Sequence, residues 1–214
     1  MALDQKKLQK KKAKKAQKAK ARKKKGGGGG LFAGIAEQSA LLKALNAPIY
    51  ECWEPDGLFS YDGTGIGSVV VSRKSAGGDI AMAAFLVDAF CLGIKDAFIK
   101  LVDESQYRET VEGMRLRDEM SSVHPTCARK LVESAIQWAE GIGFRPHKDY
   151  KAARRIFGDI DPAACPRSFE FGRDGKPFYV AGPNDSPAFI RKVHKTLART
   201  VGEGDYEFLQ QIDP

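Results

Sequence analysis

The chain has 214 residues, of which 43% are hydrophobic, 9% aromatic and 29% charged, the make-up of a globular protein rather than of a chain disordered throughout. No run of about 18 apolar residues occurs, which argues against a transmembrane helix. The formal charge of +8 hides two opposed parts: residues 1–25 hold twelve lysines and Arg22 against the single acid Asp4, and this +12 leaves −4 for everything that follows.

The basic run consists of Lys6, Lys7, Lys10, Lys11, Lys12, Lys14, Lys15, Lys18, Lys20, Arg22, Lys23, Lys24 and Lys25, spaced almost entirely by Ala and Gln. Its charges would surround every face of a helix, so no apolar stripe exists to bury, and the composition predicts a disordered tail that folds, if at all, on a polyanion. Gly26–Gly30 then reads as a flexible linker with a reach on the order of 12 Å. The expected organisation is therefore a tail and linker over residues 1–30 and one domain over 31–214. A signal peptide does not fit, because Glu37 and Gln38 interrupt the apolar stretch after Leu31 too early.

In the domain, apolar residues at 31, 35, 41, 42 and 45 before Pro48 predict a helix over 31–46. Segments 49–54, 68–73 and 80–87 are rich in β-branched and aromatic residues, and Gly77-Gly78-Asp79 between the last two is hairpin chemistry. Residues 90–101 read as a fourth strand, with a turn or bulge at Gly93-Ile94-Lys95-Asp96. The near-continuous apolar runs require cover on both faces. Helices are expected over 103–117, with Tyr107, Val111 and Met114 inward; from Pro125 to a Schellman cap at Gly143; over 149–157; and from Pro187, capped by Ser186. A hairpin is expected where 169–171 and 177–180 flank the glycine turn 172–175. The order predicts an α+β fold, an antiparallel or mixed sheet covered by helices.

The stretches Phe85-Leu86-Val87-Asp88-Ala89-Phe90-Cys91-Leu92-Gly93-Ile94-Lys95-Asp96, Phe157-Gly158-Asp159-Ile160-Asp161-Pro162 and Asp174-Gly175-Lys176-Pro177 resemble a group of uncharacterised bacterial cytoplasmic proteins. The resemblance implies a bacterial, cytoplasmic protein and no activity or site.

Four constellations invite a chemical reading. Gly63-Thr64-Gly65-Ile66-Gly67 lacks the Lys-Ser/Thr of a phosphate loop and precedes a strand, so a turn is expected. His124, Cys127, His147 and Cys165 can be drawn as a zinc site, but their spacing is poor, and the expectation is no metal, with His124 capping a helix and Cys127 packed as a buried thiol. The four scattered cysteines, without a CxxC pair, fit a reduced, cytosolic setting. Asp88, Asp96, Asp159 and Asp161 could gather around a divalent cation and hydrolyse phosphodiesters; Asp88 with Lys95 reads equally as an ion pair. The favoured function is a non-enzymatic binding protein without a cofactor. Its tail contacts RNA or the ribosome non-specifically, and its domain engages an unknown protein or ligand. A metal-dependent nuclease or other hydrolase using the four aspartates is the alternative.

Overall fold

The computed structural model describes residues 29–209, with side chains described from Glu37 onward; the basic run lies outside them. The chain divides into two units, 1–40 and 41–214. In the first, the backbone is helical from Gly29, so the last two glycines of the expected linker already belong to α1, Gly29–Leu45.

The second unit is built on one sheet: β1 (Ile49–Pro55), β2 (Ile66–Lys74), β3 (Ile80–Asp88), β4 (Gly93–Val102) and β5 (Met120–Ser122). They run in the order β4-β3-β2-β1-β5, every neighbour antiparallel. The helices are α2 (Glu104–Arg115), α3 (Pro125–Gly141), α4 (Tyr150–Ala153) and α5 (Pro187–Thr200). The chain is thus α+β, as expected, and among the described residues no helix is long and apolar enough to cross a membrane.

β3 explains the layering. Successive strand residues point to opposite faces, and in β3 every residue except Leu86 is buried. Ala81, Ala83, Phe85 and Val87 pack with Leu131 and Ala135 of α3 and with Phe157 on one face. Ile80, Met82 and Ala84 pack with Tyr107, Val111 and Met114 of α2 on the other. A smaller cluster joins Cys91 and Leu92 to Tyr179 and to Val193 and Leu197 of α5.

The expected caps at His124, Ser186 and Gly143 are present, and α2 starts one residue later than expected because Asp103 is its cap. Asp103 and Gln106 form a capping box on α2, His124 accepts from the Thr126 N–H at the start of α3, and Ser186 accepts from the Phe189 N–H at the start of α5. Phe144 N–H donates to Ala139 O at 2.8 Å and Gly143 N–H to Glu140 O at 3.1 Å, the paired bonds of a Schellman ending.

Three expectations need correction. Phe169–Phe171 forms no strand; the Phe169 and Phe171 rings pack on Phe59, and the Phe171 ring also on Trp138. The glycine turn exists, closed between Arg173 and Lys176, but the residues after it form β6 (Phe178–Val180), which pairs in parallel with β7 (Glu207–Leu209). Burying aromatic rings against the core won over continuing a ladder. β5 and β7 are three residues each, too short to leave a periodic signal. Finally, Cys127 and Cys165 are disulfide-bonded, with Cα atoms 5.0 Å apart, while Cys52 and Cys91 are free and buried. Cys127 is therefore not a thiol, and the bridge ties the first turn of α3 to the segment after residue 164.

This bridge closes a loop spanning a sequence separation of 38, for which loss of unfolded-chain entropy is worth about 4 kcal/mol. Unfolding in urea with and without dithiothreitol should show a drop of that order on reduction. Identical unfolding free energies would mean that the bridge contributes nothing.

Candidate functional site

The site begins at the end of β3. Asp88 is buried, and its Oδ1 accepts the N–H groups of Phe90 at 3.2 Å and Cys91 at 2.9 Å, which fastens the turn into β4. Its Oδ2 is buried without a hydrogen-bond partner. Gly93 has φ +68°, and a Cβ there would come within 2.7 Å of Ala139 Cβ, so only glycine lets β4 start this close to α3.

Beyond Gly93 the ladder slips: Val87 pairs with Ile94 but Leu86 with Asp96, leaving Lys95 as the extra residue of a bulge. A bulge re-aims a side chain. Here the largely buried Lys95 is directed to Asp185, with Nζ 3.6 Å from Oδ2. That oxygen also accepts from the Tyr179 hydroxyl at 2.9 Å and the Gly182 N–H at 2.8 Å. The expected Asp88–Lys95 ion pair does not form within 4.0 Å; Lys95 pairs with Asp185 instead, although the ammonium charge still acts on the Asp88 carboxyl.

This cluster abuts a cavity of about 460 Å³ between β4, the turn after α3 and α5. Leu92, Ile94, Phe144, Phe189 and Val193 supply apolar walls. Lys95, Arg145, Lys192 and His147 line it as well, with Asp185 as its one carboxylate. His147 is held through its backbone, whose N–H donates to Ile94 O at 2.9 Å. Its Nδ1 lies 3.3 Å from Asp96 Oδ1 and 3.7 Å from Asp149 Oδ2.

Burial pushes the Tyr179 phenol up, helped by its bond to Asp185, and burial likewise pushes the Cys91 thiol up, helped by Asp88. Both stay protonated at neutral pH, so neither is an activated nucleophile. What the arrangement offers is cations beside an apolar wall.

The four aspartates of the hydrolase reading have four separate engagements. Asp88 holds the β3–β4 turn, and Asp96 faces His147 and accepts from the Ala97 N–H. Asp159, almost fully exposed, lies 3.5 Å from Arg73, and Asp161 caps the turn at Pro162–Ala164. Among the described residues no three His, Cys, Asp or Glu side chains form a group able to hold a metal. Of the four residues of the zinc reading, His124 sits on a helix cap and both cysteines are in the bridge. Gly63–Gly65 leads into β2, which begins at Ile66; Gly65 has φ +70° and a Cβ would sit 2.3 Å from the Phe90 ring. Lys6 to Lys25 lie outside the described residues. Arg145 and Lys192 carried no signal in the sequence, since each is one basic residue among 35.

Comparison of the chain with family models, curated proteins and solved structures gives no match.

Burial raises the Asp88 carboxyl to about 6, against the opposing pull of Lys95 and the turn N–H groups. A carboxyl raised above its unfolded value keeps a proton that the unfolded chain has lost. Its contribution is complete below the ordinary carboxylate pKa and is lost as pH rises through about 6, a change of about 3 kcal/mol. Asp88→Asn should therefore flatten the fall in unfolding free energy between about pH 4 and about pH 7 by up to that amount. Urea titrations at both pH values check it, and an unchanged profile would show that Asp88 does not titrate there.

Proposed function

We propose that the protein is a cytoplasmic, non-enzymatic binding protein whose lysine-rich segment contacts RNA, on the ribosome or free, without reading its sequence, while the folded unit receives a second ligand. The observation that carries the reading is the charge division: +12 within residues 1–25 against −4 in the remainder. Ammonium groups on flexible stems neutralise phosphates but do not distinguish bases, and no aromatic residue is interleaved to stack on them. A domain of net negative charge would by itself repel a polyanion, so attraction is left to the basic segment.

A reducing cytoplasm disfavours a structural disulfide. Cys127 and Cys165 are, however, 4% and 2% exposed, and thiol exchange requires access to sulfur.

The full chain should bind single-stranded RNA of any sequence with similar affinity. If about six basic groups meet phosphates, log K should fall against log salt with a slope near −4, roughly 250-fold between about 50 and about 200 mM. Fluorescence anisotropy measures this, and removal of residues 1–30 should abolish it. Sequence-selective or salt-insensitive binding retained after that deletion would overturn the reading.

A further inference from the structure

We propose that the cavity between β4, the turn after α3 and α5 binds a small organic anion, a molecule with an apolar body and a single carboxylate, sulfonate or phosphate head. Its volume of about 460 Å³ falls within the range of small-molecule sites, which pair apolar walls with a few placed polar groups.

Charge sets the sign of the ligand. Lys95, Arg145 and Lys192 line the cavity against Asp185 alone, in a part of the chain whose net charge is −4. The local reversal of sign concentrates anions there. The lone carboxylate is already committed, since its Oδ2 takes Tyr179, Gly182 and Lys95. Arg145 and Lys192 are exposed and, among the described residues, form no ion pair within 4.0 Å. An unpaired guanidinium presents a planar fork that fits a carboxylate or phosphate.

The walls set the rest of the ligand. Leu92, Ile94 and Val193 are buried at the base, and Phe189, at 39% exposure, stands in solvent beside Lys192 in sequence three residues on. An exposed phenylalanine and an unpaired lysine one helical turn apart on α5 present an apolar and a cationic contact on one face of the helix. Inorganic phosphate would use only the second of these, and a neutral ring only the first.

The site stands independently of the RNA reading, because none of its residues lies in the basic segment and the probes below are not polymers. Naphthalene-2-carboxylate is titrated into the full chain by calorimetry, beside its uncharged carbinol and inorganic phosphate. Saturable binding of the carboxylate is expected, with the carbinol and phosphate each weaker by about tenfold or more. Arg145→Gln with Lys192→Gln should weaken the carboxylate by about tenfold and leave the carbinol unchanged. Because both side chains are exposed, the melting temperature of the double variant should match that of the parent, which separates a lost contact from a lost fold. A carbinol or phosphate that binds as well as the carboxylate, a double variant of undiminished affinity, or no saturable binding would each overturn the proposal. RNA that displaces bound naphthalene-2-carboxylate from the parent but not from the double variant would assign the cations to polymer phosphates and overturn it too.

Discussion

A buried carboxylate at the turn from β3 to β4 is the constraint on which the surrounding architecture converges. Asp88 fastens residues 88–92 by accepting two of their N–H groups, and the backbone of that short turn then serves three other parts of the chain. Ala89 N–H donates to Gly65 O, Gly172 N–H donates to Ala89 O, and Phe178 N–H donates to Phe90 O. A turn with its own N–H groups satisfied can present its remaining backbone groups outward in fixed directions. The loop before β2, the segment leading to β6 and the base of the cavity all take their position from it.

Burying that charge is costly unless it is matched, and the match shapes the site. Lys95 is placed by a bulge, which spoils one step of the ladder; its charge acts on Asp88, while its ion pair is with Asp185 at the N-terminal approach to α5. The cation whose charge acts on Asp88 therefore also ties the approach to α5 to the sheet, and the space between α5 and β4 is the cavity. Arg73 shows the contrasting solution. It is buried too, but it donates to the carbonyls of Ala47 and Ile156 at 2.7 Å and of Phe157 at 2.9 Å. All three are backbone acceptors, so Arg73 staples the chain entering β1 and the turn after α4 to the sheet. Its donors are occupied, whereas Arg145 and Lys192 on the cavity rim remain available.

The folded unit and the basic segment divide the electrostatic work. Twelve lysines and an arginine in succession cannot be paired within so short a segment, and their action is long-range and screened by salt. In the folded unit some cations are neutralised locally: Lys74 and Arg108 both pair with Glu104, Arg129 with Glu133, and Arg167 with Glu54.

Local pattern made most of the elements legible in the sequence: four of the sheet strands, the helix caps at His124 and Ser186, the ending at Gly143 and the inward face of α2 all follow from short-range rules of spacing, capping and β-branching. Doubly apolar β3 likewise announced cover on both faces, because nine residues cannot alternate sides and stay dry otherwise. What only the tertiary structure decided are relations between segments distant along the chain. Cys127 met Cys165 across a separation of 38, β6 found β7 rather than the aromatic stretch before it, and Asp185 reached Lys95 across 90 positions. The cavity belongs to the same class: Lys95, Arg145 and Lys192 come from a strand, a turn and a helix. No local periodicity records such meetings, since side-chain spacing governs which face a residue takes on its own element, while the partner of that face is chosen by packing across the whole core.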